Sequence, residues 1–215
     1  LHQPVIPEFP GRDSFRGAAM HSAQWDHSVA LEGKRIGVIG NGSSGAQLIP
    51  ELIKRPGTDV TVFQRTPQWI VKVVDKPYSE RDKQRFRRSA KAMRRVRNFA
   101  LFTYEQGTTA LTADNRVSRV MHRLMAWNAR RYLKNSIKDP ALRAKLTPDY
   151  KFGCKRVVMN ATFYDAIQKP NAHLVTEGIE AIEPEGIRTR DGRLHALDVI
   201  VYATGFNPAA FMRPM

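Results

Sequence analysis

Five small residues in one turn are the first feature of this sequence that points to chemistry. Gly40, Gly42 and Gly45 have Gly-x-Gly-x-x-Gly spacing, with Ser43 and Ser44 between the last two glycines. The turn follows a short β-branched run and precedes helical spacing, so it presents backbone N–H groups and a positive helix end to an anion. The first glycine permits the bend, the second lets the backbone approach a phosphate, and the third lets helix and strand pack closely. This context indicates a dinucleotide pyrophosphate, and a ligand-free strand-to-helix corner is the alternative.

The residues after the next strand indicate which dinucleotide binds. NAD-selective sites carry Asp or Glu there to accept hydrogen bonds from the ribose hydroxyls, whereas this sequence reads Gln64-Arg65-Thr66. A cation suits the 2′-phosphate of NADPH, so the sequence predicts that Arg65 meets that phosphate. A solvated surface arginine is the alternative reading of Arg65.

The elements that position this turn form one βαβ unit of about 30 residues. A strand at 35–40, a helix at 45–52 and a strand at 59–64 follow in order. The Pro56-Gly57 pair is typical of the turn that ends such a helix.

The rest of the chain adds further strands and a helical insertion. The pattern predicts long helices at 78–104 and 115–137, a short helix at 163–168, strands at 173–175 and 198–203, and a hairpin around Asp191-Gly192. This alternation predicts an α/β fold, a Rossmann-like domain with a largely parallel sheet and an antiparallel addition. The insertion is expected at about 76–147. The stretch 1–33 is rich in Pro and Gly and is expected to be a connector rather than a core element.

Composition limits the class of protein. The chain has 215 residues, a net charge of +15 and one cysteine, Cys154, which excludes an internal disulfide and a cysteine-based zinc site. No apolar run approaches the roughly 20 residues that cross a bilayer. We therefore expect a globular protein of the reducing cytoplasm, with no metal site.

The residues just before the glycine turn carry a family resemblance. Phe15, Gly17, His21, Trp25 and Asp26 have the spacing Phe-x-Gly-x-x-x-His-x-x-x-Trp-Asp. This pattern resembles the fingerprint of Baeyer-Villiger monooxygenases, flavoproteins that use FAD and NADPH to insert one oxygen atom from O₂ into a ketone. The resemblance implies that His21 and Trp25 lie on the linker between an FAD domain and an NADP domain.

Three later segments match the same family. The segment from Phe63 to Pro67 resembles the family's stretch after the second strand, which implies that Arg65 and Thr66 meet the 2′-phosphate of NADPH. Lys155 and Arg156 resemble a pair in which the lysine assists 2′-phosphate binding and the arginine reaches the flavin, so Arg156 is the implied catalytic residue. A guanidinium stabilises a developing anion without donating a proton at any working pH. Ala203, Thr204 and Gly205 resemble the closing turn beside the cofactor. Without the resemblance, Lys155 and Arg156 would be interpreted as ordinary solvated residues of a surface loop.

The resemblance also implies a division of the chain. Residues 1–33 are the interdomain linker, 34–206 the NADP-binding domain, and 207–215 the start of a return linker. Only one glycine-rich turn is present, so the FAD-binding half of a flavoprotein with two dinucleotide-binding domains is expected upstream.

The resemblance implies the NADPH-binding portion of an enzyme that converts a ketone and O₂ into an ester or lactone. An N- or S-oxygenating flavin monooxygenase is the enzymatic alternative. A non-catalytic NADP-binding or membrane-surface module is the alternative from another class. This last alternative is based on residues 80–134, which contain 15 Lys and Arg but only 4 Asp and Glu. No nucleic-acid recognition motif accompanies these cations, so no nucleic-acid partner is expected.

Overall fold

The computed structural model describes residues 3–73 and 77–207. These residues form ten strands and six α-helices. In chain order they are β1 (Ala18–His21), β2 (Arg35–Ile39), α1 (Ser43–Ile53), β3 (Asp59–Phe63), β4 (Ile70–Val71), α2 (Glu80–Arg88), α3 (Ala90–Thr112), α4 (Arg116–Ser136), α5 (Pro140–Leu146), β5 (Val158–Met159), α6 (Phe163–Ala166), β6 (Ala172–Val175), β7 (Ile179–Glu183), β8 (Gly186–Thr189), β9 (Leu194–Ala196) and β10 (Val199–Tyr202).

A five-stranded parallel sheet in the order β1-β10-β2-β3-β6 forms the centre of the fold. From β2 the chain proceeds through α1 to β3 on one side, while β10 and β1 lie on the other. The order therefore reverses between β2 and β10, as in Rossmann-like sheets. The α/β class, the parallel sheet and the antiparallel addition of β7, β8 and β9 are confirmed.

Side chains alternate between two cores along the central strands. Ile36 and Val38 of β2 pack under α1 in the larger cluster, whereas Ile39 packs on the other face with Ile182 and Ile187 of the antiparallel sheet. Each face of the sheet is thus covered by a different layer, which explains why β2 and β10 are apolar on both faces.

The segment 1–33 contains a strand that the sequence did not predict. Ala18 pairs with Val199 and His21 with Tyr202, which makes β1 the edge strand of the main sheet. The expectation of a connector without a core element is wrong for these four residues. An Ala-Ala-Met-His segment lacks the β-branched residues that mark strands, so its conformation depends on its partner β10.

The predicted helix at 78–104 is two helices. Ser89 has extended backbone angles, φ −142° and ψ 99°, so it ends α2, and its side chain accepts a hydrogen bond from the Ala92 N–H at the start of α3. α3 then continues to Thr112. The prediction at 115–137 is confirmed by α4, which Asn115 caps through the Ser118 N–H. Within the described residues, no helix is both long and apolar enough to span a membrane.

A proline inside α1 creates a binding point for the chain that follows β5. Pro50 has no N–H, so the Ala46 carbonyl cannot receive the usual intrahelical hydrogen bond. The Nδ2 of Asn160 donates to that carbonyl at 2.9 Å, while its Oδ1 accepts from the Thr162 and Phe163 N–H groups at the start of α6. Asn160 therefore holds the chain that follows β5 against the first turn of α1.

An ion pair joins the amino ends of two neighbouring strands. Asp198 accepts hydrogen bonds from the Arg35 guanidinium at 2.8 and 3.1 Å and from the Arg35 N–H at 2.8 Å. The side-chain hydrogen bonds, and then the backbone one, hold the pKa of Asp198 at about 2 against its ordinary value of 3.8.

This depressed pKa predicts acid-dependent stability. A carboxylate with a lower pKa in the folded state stabilises the fold above pH 3.8, and the contribution is lost as the pH falls towards 2. Wild type should therefore exceed Asp198→Asn in urea midpoint near neutral pH, and the difference should shrink at about pH 3. A difference that stays constant between these conditions would show that the carboxylate charge is unimportant. Because both side chains are partly exposed, the effect is modest and should decrease with added salt.

Candidate dinucleotide-binding site

Several of the predicted site residues lie at the carboxyl edge of the parallel sheet. His21 ends β1, Ala203 follows β10, Gly40 follows β2, and Gln64-Arg65 follow β3. Gly40 and Ala203 lie on either side of the point where the strand order reverses. Ligands of open α/β sheets bind in the crevice at such a point.

The three glycines of the turn have different reasons to be glycine. Gly40 has φ +103°, and a Cβ there would lie 2.7 Å from the Ala203 carbonyl oxygen. A Cβ on Gly45 would lie 2.3 Å from the Gly40 carbonyl oxygen. A Cβ on Gly42 would have nothing within 4 Å, and its φ of −65° is open to any residue. Internal packing therefore demands Gly40 and Gly45, whereas Gly42 leaves an open space beside the turn.

The start of α1 fits an anion in that space. Gly42 is the N-cap residue, and no side chain caps the helix, so its first N–H groups lack the usual hydroxyl or carboxylate partner. Ser43 is half-buried and Ser44 is exposed. Within residues 3–73 and 77–207, no group of three or more His, Cys, Asp or Glu side chains is arranged to bind a metal ion.

A buried amide chain behind the turn was missed by the sequence reasoning. Gln64 is 3% exposed; its Oε1 accepts from Asn41 Nδ2 at 2.6 Å, and its Nε2 donates to the Lys145 carbonyl at 2.7 Å. Gln64 thus connects the glycine turn to the end of α5. The available signal was a polar residue that directly continues the buried Val62-Phe63 run.

Tyr150 contacts both Lys155 and the segment that follows Arg65. The Tyr150 hydroxyl donates to the Pro67 carbonyl at 3.1 Å, two residues beyond Arg65. Lys155 Nζ lies 4.6 Å from the centroid of the Tyr150 ring. Arg65 is exposed and has no hydrogen bond or ion pair in the part of the chain that the structure describes. Its charge is therefore available to a ligand. Thr66, the other residue predicted to bind the 2′-phosphate, is half-buried beside it.

Arg156 stands on a loop that is fixed at both ends. Before it, the Trp69 indole N–H donates to the Tyr150 carbonyl at 3.0 Å, and after it the Val158 N–H donates to the Trp69 carbonyl at 2.9 Å. Two residues beyond Val158, Asn160 binds the first turn of α1. Arg156 itself is exposed, and among residues 3–73 and 77–207 it has no hydrogen-bond or ion-pair partner. The structure thus ties the Arg156 loop to the helix that the glycine turn opens.

His21 joins the end of β1 to the closing turn. Its ring is 1% exposed; Nε2 lies 3.1 Å from the Gly205 carbonyl and Nδ1 lies 3.1 Å from the Ala23 N–H. A carbonyl only accepts and an amide N–H only donates, so these contacts suit Nε2 as the donor and Nδ1 as the acceptor. The Phe206 ring packs edge-on at 5.7 Å. His21 therefore connects the end of β1 to the closing turn at Gly205.

The other fingerprint residues shape the chain around β1. A Cβ on Gly17 would lie 2.3 Å from the Asp198 carbonyl oxygen and 2.6 Å from the Phe15 ring, so Phe15 needs a glycine there. Trp25 is half-buried against the larger core. Hydrogen bonds from the Ser28 hydroxyl and N–H to Asp26 lower the Asp26 pKa and form a local turn. These contacts are structural.

The closing turn also holds the first segment of the chain. The Ala203 N–H donates to the Ile39 carbonyl at 2.9 Å, which keeps the turn beside the glycine motif. The Thr204 hydroxyl donates to the Val5 carbonyl, and the Val5 N–H donates to the Gly205 carbonyl at 3.0 Å. Gly205, with φ +86°, has open space at its Cβ position. The predicted return linker at 207–215 lies outside the described residues except for Asn207.

A model of the family described as flavin-binding monooxygenase-like matches residues 2–213. The chain belongs to this family. It is 44% identical over 216 residues to an uncharacterized monooxygenase of Mycobacterium tuberculosis, covering 100% of this chain and 42% of that protein. It is 38% identical over 206 residues to a Baeyer-Villiger monooxygenase of Pseudomonas aeruginosa, covering 96% and 38%. The chain thus spans about two fifths of the length of these relatives.

Solved structures of similar proteins share the fold. The closed crystal structure of cyclohexanone monooxygenase matches with a TM-score of 0.77 and 27% identity, over 96% of this chain and 45% of that one. A crystal structure of OTEMO in complex with FAD and NADP matches with a TM-score of 0.75 and 28% identity, over 95% and 45%. The resemblance seen in the fingerprint is confirmed at the level of family and fold.

The contrast between Gly42 and Gly45 predicts that substitution affects stability at one position and not at the other. Gly42→Thr should leave the thermal midpoint nearly unchanged, because its side chain enters open space and threonine suits an N-cap position as well as glycine does. Gly45→Ala should lower the free energy of unfolding by about 1–3 kcal/mol, because its methyl group forces the helix away from the Gly40 carbonyl. Thermal and urea unfolding of the two variants tests this order. Equal losses would mean that Gly42 also has an internal packing role.

Proposed function

We propose that this chain is the NADPH-binding part of an FAD-dependent monooxygenase that inserts one oxygen atom from O₂ into a ketone. The observation that carries the proposal is the turn at Gly42. A Cβ on Gly42 would have nothing within 4 Å, so no contact within the described chain requires glycine at this position, and a pyrophosphate would lie in that space. The turn stands at the reversal point of a Rossmann-like sheet, which supports a dinucleotide ligand. Residues 34–206, together with β1, would form the binding domain. The rest of 1–33 and 207–215 would be its linkers.

Selectivity for NADPH follows from the charges after β3. Gln64 is occupied by Asn41 and the Lys145 carbonyl, so it is not free to bind ribose hydroxyls. Arg65 is unpaired among the described residues, and the Tyr150 ring holds Lys155 near the same segment. Two cations and Thr66 suit a phosphate dianion, whereas no acidic side chain is offered to the bare ribose hydroxyls at this strand end.

The oxygenation step is supported by family membership and by the Phe15 to Asp26 fingerprint. FAD, when bound, would supply the chemistry that activates O₂. This chain would orient the nicotinamide along the carboxyl edge and provide Arg156 as a positive charge. The Baeyer-Villiger relatives favour a ketone as the acceptor of oxygen, with an ester or lactone as product.

The proposed role of Arg65 predicts a loss of cofactor selectivity. In the intact protein, Arg65→Ala should weaken NADPH binding by about tenfold or more and leave NADH binding within about twofold, because only NADPH has the 2′-phosphate. Titration of both cofactors by calorimetry measures this. Arg55→Ala is a matched control, since Arg55 is also exposed and lies beyond α1, at the opposite edge of the sheet. Equal losses of NADPH and NADH binding would contradict the assignment.

The proposed role of Arg156 predicts a different signature. Arg156→Ala should reduce the rate of product formation by about 100-fold or more, as expected when a charge that stabilises a transition state is removed. NADPH affinity should change little, because Lys155 and Arg65 remain. Product formation per NADPH consumed, followed with a cyclic ketone, separates the two effects. A variant with normal turnover, or one that fails only to bind NADPH, would remove Arg156 from the catalytic role.

A further inference from the structure

α4 has two apolar faces, of which only one is used by the fold. Ala126, Ala129 and Leu133 are buried against the domain. On the other side of the helix, a stripe at spacings of three and four residues is exposed. This outer stripe consists of Val117 at 71%, Val120 at 53%, Leu124 at 53% and Trp127 at 53% exposure. A helix face with apolar residues at this spacing is normally covered by something.

The helix that carries the outer stripe is rich in cations and has few counter-charges. α4 contains six Arg and Lys residues and no Asp or Glu. They are Arg116, Arg119, Arg123, Arg130, Arg131 and Lys134. In the described part of the chain, the only ion pair of α4 joins Arg119 to Asp114 at 3.6 Å. The Arg131 guanidinium lies 5.1 Å from the centroid of the Trp127 ring, so one cation is held directly at the stripe.

The neighbouring helices have the same character. α3 packs beside α4 and exposes Phe99 at 71%, Phe102 at 58% and Tyr104 at 62%. α2 has no buried residue and carries Arg85, Arg87 and Arg88 in its last turn. The exposed side chains of α2, α3 and the outer stripe of α4, together called the insertion surface, therefore combine aromatic residues with a strong excess of positive charge.

We propose that this insertion surface docks on an anionic lipid bilayer. Lipid headgroups complement the arginines, and the acyl boundary below them accepts Trp127, Leu124 and the exposed phenylalanines. The long arginine side chains can extend to the headgroups while their stems cover apolar surface. A nucleic acid would neutralise the cations but would leave the valine and leucine stripe in water. The apolar and cationic elements together fit a membrane surface.

Vesicle sedimentation with the intact protein tests the proposal. Vesicles of phosphatidylcholine mixed with phosphatidylglycerol should bind the protein, vesicles of phosphatidylcholine alone should bind it far less, and high salt should weaken the binding. The double variant Leu124→Ser and Trp127→Ser should reduce binding by about tenfold. Met159→Ser, which changes an exposed apolar residue outside the insertion, should bind like wild type. Circular dichroism of the variants would verify that α4 still forms.

Three results would overturn the proposal. If intact wild-type protein fails to bind anionic vesicles, the surface is covered by the remaining polypeptide or by a second copy, and the sedimentation coefficient distinguishes these. Binding that the double variant retains fully would exclude the stripe. Retention of duplex DNA with no vesicle binding would identify a nucleic-acid surface instead. NADPH titration of the same samples tests the proposed cofactor site separately, because NADPH binding does not depend on any of these three results.

Discussion

The fold of this chain depends on the close approach of two backbones at the reversal point of its sheet. Gly40 lies against the Ala203 carbonyl, and Gly45 lies against Gly40, with no room for a side chain at either contact. This approach fixes where α1 begins and how its N–H groups are directed. It also places the closing turn after β10 beside the glycine motif. The remaining site residues are arranged around these two contacts.

Internal hydrogen bonds extend this arrangement to segments that are distant in sequence. Pro50 leaves the Ala46 carbonyl without a helical partner, and Asn160 supplies one from the chain after β5. Gln64 connects Asn41 in the turn to the end of α5. Buried amides are costly when unpaired, so each bond restricts where the segment that it holds can lie. The Arg156 loop is therefore positioned by the core of the domain, although Arg156 itself is exposed.

The limits of the sequence prediction have physical causes. β2, α1 and β3 were predictable because β-branched runs, glycine spacing and a Pro-Gly turn are local signals. β1 was missed because its conformation comes from pairing with β10, and the break at Ser89 was missed because a single serine cap interrupts an otherwise continuous helical pattern. The glycine motif was found from its spacing together with the strand and helix patterns on either side. The role of Gln64 was not, because its two partners lie 23 and 81 residues away in sequence.

The site separates residues whose interactions are complete within the chain from residues whose interactions are not. His21, Gln64 and Asn160 each satisfy their hydrogen-bonding groups with backbone or side-chain partners, so their work is to hold the edge in shape. Within the described residues, Arg65 and Arg156 have no such partners, and Gly42 faces open space. The uncapped start of α1 and two exposed arginines without partners among the described residues are the features that support the proposed anionic ligand. In the proposed site, the rigid edge would determine where the ligand lies, and the free charges would determine which ligand is accepted.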